Sequence, residues 1–121
     1  MNTVLVVDDQ QTHREMISNL LKGSGFKVML ASNGGEALEQ IEAHPPDLVI
    51  LDIVMPKING YEVCRRLRTN PISKDVPVIL CSIKAEEFDR YWGIRQGADA
   101  YVAKPFKPQE LLATVKQLLA K

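Results

Sequence analysis

The run Leu48-Val49-Ile50-Leu51-Asp52 decides the fold, because four consecutive aliphatic residues stop abruptly at a carboxylate. A strand with one wet face alternates apolar and polar residues, whereas an unbroken aliphatic run is typical of a parallel strand covered on both faces. The run Val4-Leu5-Val6-Val7-Asp8-Asp9 ends in the same way. We therefore expect a central parallel sheet, with helices on both faces and acidic groups where its strands end.

Five strand-like segments alternate with helix-length segments, without a linker or an internal repeat. The predicted strands are residues 3–7, 27–31, 47–51, 76–81 and 100–103. The predicted helices are residues 11–22, 35–43, 60–69, 86–96 and 109–120. Since crossovers between parallel strands are right-handed, this order predicts a doubly wound, three-layer α/β fold. A single domain over residues 1–121 is expected.

Three helices carry informative patterns. The last has one apolar stripe at helical spacing, formed by Leu111, Leu112, Val115, Leu118 and Leu119. The first is expected to bury Met16, Ile17, Leu20 and Leu21 and to stop at Gly23. The fourth places aromatic residues among charges, which fits either a contact surface or a cap on the sheet edge.

Composition excludes several functional classes. The 121 residues include 15 basic and 15 acidic side chains, so the chain has no electrostatic signature of bulk nucleic-acid or membrane-surface binding. A signal-peptide pattern and an apolar run of membrane length are also absent, so we expect a cytoplasmic protein. Cys64 and Cys81 are too few for a disulfide framework and are expected to be buried thiols.

Polar residues follow the predicted strands where the apolar runs stop. They are Asp8, Asp9, Asp52, Ser82 and Lys104. In open α/β sheets, functional groups lie beyond the carboxyl ends of the strands, which share one edge. We therefore expect three carboxylates, one hydroxyl and one ammonium to converge there.

Three converging carboxylates would repel one another, and a hard divalent cation such as Mg²⁺ would relieve that repulsion. The histidines, His13 and His44, are expected to lie away from them, which argues against zinc. A simpler interpretation of Asp8-Asp9 is that the pair caps the first helix. The matching positions of Asp52 and Lys104 favour the metal site.

Asp52 is the strongest candidate for a nucleophile. A carboxylate at a strand end beside a metal can attack a phosphoryl donor and form an aspartyl-phosphate. Mg²⁺ would neutralise one side of the phosphoryl group and Lys104 the other, while Ser82 could donate a hydrogen bond to a phosphoryl oxygen.

From Val4 to Leu119, these residues resemble the receiver domain of two-component response regulators. The motifs that carry the resemblance are Val7-Asp8-Asp9, Leu51-Asp52-Ile53-Val54-Met55-Pro56 with Gly60, Ser82, and Lys104-Pro105-Phe106. The resemblance implies a flavodoxin-like, CheY-like fold, with a five-stranded sheet of order 2-1-3-4-5 flanked by five helices.

The resemblance also implies a role for each matching residue. Asp52 accepts a phosphoryl group from a sensor histidine kinase or phosphotransfer protein. Asp9 and Asp52 ligate Mg²⁺ directly, Asp8 acts largely through water, and the backbone carbonyl of Val54 completes the set. Lys104 contacts the phosphoryl group.

Switching is assigned to two further residues by the same resemblance. Ser82 is the switch hydroxyl, and Tyr101 is the aromatic residue that swings inward when Ser82 moves toward the phosphate. The fourth helix, fifth strand and fifth helix then form an output face that controls a downstream protein. The chain is thus expected to be a regulator that catalyses its own phosphorylation, and not an enzyme acting on a separate substrate.

Two positions depart from the family pattern: Gln10 follows the acidic pair in place of a third acid, which leaves the metal set intact, and Ile83 follows the switch hydroxyl. Ile83 stands where a small residue usually follows the switch hydroxyl, and its bulk could narrow access of water to the phosphoryl group. Val54 and Lys84 occupy the variable positions that tune phosphate lifetime, and the Val54 side chain cannot hydrogen-bond an attacking water. We therefore expect a long-lived phosphorylated Asp52 with slow autodephosphorylation.

The sequence says less about whether this chain stands alone and which pathway it serves than about its site residues. Because the chain ends at Lys121, a stand-alone receiver acting through protein contacts is expected, although a receiver cut from a larger regulator is an alternative. Residues 88–98 are similar to single-domain receivers of type IV pilus chemosensory systems, which suggests twitching motility or chemotaxis.

Three rival interpretations remain. A haloacid-dehalogenase-type phosphohydrolase usually carries a second Asp two residues after the nucleophile, where this chain has Val54. A flavin or nucleotide module would need a glycine-rich loop after the first strand, where this chain has Asp8-Asp9. A degenerate, scaffolding receiver would lack site residues, and none is missing.

Overall fold

The computed structural model of the chain describes residues 2–120, in which five strands alternate with five helices. The strands are β1 (Thr3–Val7), β2 (Lys27–Ala31), β3 (Leu48–Leu51), β4 (Val78–Ser82) and β5 (Ala100–Ala103). The helices are α1 (Gln11–Gly23), α2 (Gly34–Ala43), α3 (Gly60–Thr69), α4 (Glu87–Arg95) and α5 (Pro108–Leu119). Each predicted element is present, with ends within two residues of those predicted. Met1 and Lys121, the predicted domain limits, lie outside the described residues.

The five strands form one parallel sheet in the order β2-β1-β3-β4-β5, which confirms the order that the resemblance implied. Val7 at the end of β1 lies opposite Leu51 at the end of β3. Leu51 in turn lies opposite Leu80, near the end of β4. Because these carboxyl ends are nearly level, the residues that follow them share one edge of the sheet.

The hydrophobic core lies on both faces of the sheet, as the aliphatic run of β3 predicts. Val49 and Leu51 pack on one face with residues of α3, including Val63. Leu48 and Ile50 pack on the other face with residues of α1 and α5. All four residues of β3 are at most 1% exposed, so this strand is the centre of the molecule.

Helix α1 departs from the sequence prediction at two points. Ile17 and Leu21 are buried, but Met16 is 50% exposed and lines a surface cleft instead of the core. The residue that caps the amino end is Gln10, whose side chain makes no capping bond, so the interpretation of Asp8-Asp9 as a helix cap is wrong. The helix ends at Gly23 as predicted, while the left-handed backbone conformation falls at Gly25, with φ +91°.

No helix within residues 2–120 combines the length and the apolar character that crossing a membrane would require.

Cys64 and Cys81 are free and buried, as predicted, and should not react in the native protein. Burial raises the pKa of each thiol to about 12, so neither forms the reactive thiolate at mildly alkaline pH. We expect an aromatic disulfide reagent to titrate no thiol in native protein and both thiols in guanidinium chloride. Rapid titration of the folded protein would contradict this burial.

Candidate functional site

The three predicted carboxylates converge at the carboxyl edge of the sheet. One oxygen from each of Asp8, Asp9 and Asp52 lies within 4.8 Å of the others. Asp8 is 1% exposed and Asp52 is 6% exposed, whereas Asp9 is exposed to solvent. The cluster therefore has two buried members and one member that solvent reaches.

Backbone hydrogen bonds continue past the strand ends and hold these residues in place. The Asp52 N–H donates to the Val7 carbonyl at 3.0 Å, and the Asp8 N–H donates to the Ala31 carbonyl at 3.2 Å. The Lys104 N–H donates to the Ser82 carbonyl at 3.0 Å. Each reactive side chain thus starts from a backbone position set by the neighbouring strand.

A glycine lets α3 begin close behind Asp52. The Gly60 N–H donates to the Ile53 carbonyl at 2.9 Å, and a Cβ at Gly60 would lie 2.3 Å from the Asp52 carbonyl oxygen. On the side chain of Asp52, Oδ1 accepts from the Ile53 N–H at 2.7 Å. One carboxylate oxygen is therefore held by the backbone.

The Lys104 ammonium contacts the other oxygen of Asp52. Nζ donates to Asp8 Oδ2 at 2.7 Å and to Asp52 Oδ2 at 3.4 Å, and it lies 3.0 Å from His13 Nδ1. The Lys104 side chain is only 7% exposed, and its peptide bond to Pro105 is cis. Burial alone would lower the Lys104 pKa, but the hydrogen bond to Asp8 and the nearby carboxylate charges outweigh it and raise the pKa. The ammonium is therefore charged at neutral pH.

The prediction that His13 lies away from the carboxylates is wrong. His13 stands in the first turn of α1, which begins two residues after Asp9, and its Nδ1 lies 3.8 Å from Asp8 Oδ2. The only signal available in the sequence was this short spacing from Asp8. By contrast, His44 is exposed and follows the carboxyl end of α2.

Ser82 and its neighbours line the next part of the edge. Ser82 is fully buried, and its Oγ accepts from the Lys84 N–H at 3.3 Å. Ile83 is 70% exposed and Val54 is 51% exposed, so both side chains stand on the solvent side. The Lys84 ammonium pairs with Asp89 at 3.3 Å.

Tyr101, the predicted switch aromatic, points inward in this structure. Its hydroxyl is buried and has no hydrogen-bond partner among residues 2–120. Burial raises the Tyr101 pKa, so the hydroxyl is protonated and unpaired. The guanidinium carbon of Arg90 lies 5.4 Å from the centre of the ring.

Comparison with known proteins identifies the family. A family model described as the response regulator receiver domain matches residues 4–116. The chain belongs to the response regulator receiver family. This receiver is 42% identical over 116 residues to the alkaline phosphatase synthesis transcriptional regulatory protein PhoP of Bacillus subtilis, covering 96% of the chain and 48% of PhoP. The chain spans about half the length of the curated relatives it matches.

Solved receiver structures agree over nearly the whole chain. A response regulator from Chloroflexus aurantiacus J-10-fl superposes with a TM-score of 0.96 at 41% identity, covering 99% of this receiver and 98% of that chain. The chemotaxis protein CheY4 of Vibrio cholerae superposes with a TM-score of 0.92 at 31% identity, covering 98% of both chains. The CheY-like fold and the resemblance to receivers are therefore confirmed, and family membership favours a receiver over the phosphohydrolase and flavin-module alternatives.

The donor chemistry of this receiver fits a magnesium ion. Asp8, Asp9 and Asp52 supply only oxygen ligands, and Lys104 is the one ammonium that contacts the cluster among the described residues. Three carboxylates against one ammonium leave a net negative charge, which a hard divalent cation with oxygen ligands would balance. Mg²⁺ would be held by these carboxylates together with the predicted backbone carbonyl of Val54.

Proposed function

We propose that this receiver is a phosphorylation-dependent signalling switch. Asp52 takes a phosphoryl group from a phosphohistidine on a sensor histidine kinase or phosphotransfer protein, in the presence of Mg²⁺. The observation that carries the proposal is the position of the Asp52 carboxylate. It lies inside an acidic cluster, with one oxygen bonded to the backbone and the other 3.4 Å from the Lys104 ammonium.

The transfer itself needs little more than positioning and charge balance. A carboxylate oxygen of Asp52 attacks phosphorus while the bond from phosphorus to the donor imidazole nitrogen breaks. The imidazole keeps the electron pair of that bond and takes up a proton. Lys104 stabilises the negative charge that moves onto the phosphoryl oxygens. Asp8 and Asp9 would help to hold Mg²⁺, which would supply further charge neutralisation.

Phosphorylation would then shift the population between two conformations. The Ser82 hydroxyl, which accepts from the Lys84 N–H in this structure, would instead donate to a phosphoryl oxygen. Moving a two-state equilibrium from mostly inactive to mostly active needs about 5 kcal/mol. Charge-assisted bonds from Lys104 and a new Ser82 bond are of the right size to supply much of it. Tyr101, whose hydroxyl is already buried in this structure, would be held in that inward position by phosphorylation and so link the site to the output face.

The proposed output face comprises α4, β5 and α5. Phe88 and Trp92 of α4 stack with ring centres 6.3 Å apart, and Phe88 is 70% exposed. Phe88 stands largely in solvent and Trp92 is 40% exposed, which favours a contact surface over a simple cap on the sheet edge. An exposed aromatic surface suits contact with a downstream protein. The balance of 15 basic and 15 acidic residues gives no electrostatic signature of bulk nucleic-acid or membrane-surface binding, which supports a protein target. A cytoplasmic location, without direct nucleic-acid contact or membrane insertion, stays a prediction. The type IV pilus setting and the stand-alone state stay predictions.

The first test is labelling of wild-type protein. Acetyl phosphate should add one phosphoryl group, detected by intact mass, when Mg²⁺ is present and not when a chelator replaces it. Peptide mapping should place the added mass on the fragment that contains Asp52. A folded wild-type protein that gains no mass from acetyl phosphate or from a cognate phosphohistidine donor would support the scaffolding alternative instead.

The lifetime of the phosphorylated state gives a second prediction. Ile83→Ala should lose its phosphoryl group about three- to tenfold faster than wild type, because removing an exposed bulky side chain opens a path for water. The decay of the phosphorylated mass after removal of acetyl phosphate measures this rate. Ile72→Ala is a matched control, since Ile72 is 50% exposed and contributes no group to the site. An unchanged rate in Ile83→Ala would contradict this role. Val54 and Lys84 are proposed to tune the same rate.

A further inference from the structure

We propose that His13 is a positioning residue: its imidazole accepts a hydrogen bond from Lys104 and would keep the ammonium aimed at Asp52 while Asp8 and Asp52 hold a metal. This inference rests on the proposed phosphorylation of Asp52. It assigns a role to a side chain that neither the sequence motifs nor the metal cluster include.

The contact is specific in its chemistry. Lys104 Nζ lies 3.0 Å from His13 Nδ1, inside hydrogen-bonding distance. An ammonium has three donors and no acceptor, so the contact is favourable only when Nδ1 presents its lone pair. The proposal therefore requires the tautomer whose proton is on Nε2, which accepts from Lys104 through Nδ1.

The three donors of the ammonium are matched by three acceptors. These are Asp8 Oδ2 at 2.7 Å, His13 Nδ1 at 3.0 Å and Asp52 Oδ2 at 3.4 Å. Two of the acceptors belong to the carboxylates that would hold Mg²⁺, while His13 is outside that cluster. With Mg²⁺ held by the oxygens of Asp8 and Asp52, His13 would remain as the acceptor for Lys104.

Without such an acceptor, the Lys104 side chain could turn into a neighbouring cleft. A cleft of about 300 Å³ opens beside Lys104 and is lined by His13, Met16, Ile83, Lys104, Pro105 and Phe106. This cleft leads from the buried ammonium to solvent, since Met16 and Ile83 are 50% and 70% exposed. The hydrogen bond that Lys104 donates to His13 restrains the ammonium from swinging into the cleft and leaves its other donors for the phosphoryl oxygens.

A matched pair of variants separates the hydrogen bond from the shape of the side chain. In His13→Asn, the amide oxygen is bonded to Cγ as Nδ1 is, so an acceptor remains in the same place. In His13→Leu, a methyl group takes that place, the side chain has nearly the shape of Asn, and the apolar cleft keeps its lining. Both variants are checked for folding by their thermal unfolding.

The rate of labelling by acetyl phosphate with saturating Mg²⁺ is the first readout. We expect His13→Leu to be about five- to tenfold slower than wild type and His13→Asn to remain within about twofold. The dissociation constant for Mg²⁺, measured by calorimetry, should change less than about twofold in both variants, because His13 lies outside the carboxylate cluster. Loss of rate without loss of metal affinity is the signature of positioning.

The second readout uses metal-free protein and needs no phosphorylation. Exchange of the Lys104 ammonium protons with water should be similar in wild type and His13→Asn, and faster in His13→Leu, because a hydrogen bond to an acceptor slows exchange. Equal labelling rates in wild type and His13→Leu would overturn the proposal, as would His13→Asn behaving like His13→Leu. If the wild-type protein takes up no phosphoryl group, the proposed function is wrong, and so is the role of His13 that rests on it.

Discussion

Asp52→Asn should gain no phosphoryl group from acetyl phosphate at any Mg²⁺ concentration, while wild type is labelled under the same conditions. An amide lacks the negative charge that makes the carboxylate a nucleophile. The fold should survive, since Asn has the same shape and its amide oxygen can still accept from the Ile53 N–H, as Asp52 Oδ1 does at 2.7 Å. Intact mass measures labelling, and circular dichroism checks the fold.

Two comparisons make the result specific to Asp52. Asp75→Asn changes an exposed carboxylate away from the cluster and should be labelled like wild type. Asp8 and Asp9 are the competing acceptors, because their oxygens lie within 4.8 Å of an Asp52 oxygen. Labelling that persists in Asp52→Asn and maps to Asp8 or Asp9 would assign the chemistry to a neighbouring carboxylate.

Gly60→Ala should destabilise the protein by about 3 kcal/mol and slow the labelling of Asp52. The added Cβ would lie 2.3 Å from the Asp52 carbonyl oxygen and 2.8 Å from Ile53 Cα. Both are backbone atoms, so no flexible side chain can move aside, and either α3 or the segment carrying Asp52 must shift. Urea unfolding measures the stability.

Gly23→Ala is the matched control for this substitution. Gly23 ends α1, and a Cβ there meets nothing within 4 Å. Removing the extra freedom of glycine in the unfolded chain should leave stability unchanged or raise it by about 0.5 kcal/mol. If Gly60→Ala were as stable as Gly23→Ala, the close approach of α3 to Asp52 would not be a constraint on this fold.

The fold was predictable because burial and periodicity agree along this chain. The aliphatic run of β3 predicts a strand covered on both faces, and its residues are at most 1% exposed. The shared edge follows from the rule for parallel strands, so convergence of Asp8, Asp9 and Asp52 was expected and is observed. Sheet order came instead from the family resemblance, since periodicity does not specify which strands are neighbours.

The directions of the side chains around the carboxyl edge of the sheet could not be predicted from burial and periodicity. His13 and Met16 lie in α1, and their placement depends on how that helix is rotated against the sheet. A helical pattern defines an apolar stripe but not its outer limit, so the pattern predicts Met16 in the core although its side chain is 50% exposed. The contact between His13 and Lys104 joins residues 91 positions apart, and no local pattern encodes it.

The backbone hydrogen bonds that run past the strand ends have a consequence for how this architecture tolerates change. Since Asp8, Asp52 and Lys104 are each anchored to a neighbouring strand, their starting points are set by the sheet and not by the loops that follow. Insertions or deletions further along those loops can therefore change the surface around the site without displacing Asp8, Asp52 or Lys104. The sheet thus fixes the positions of these three residues. The surrounding loops can change to select different partners without moving them.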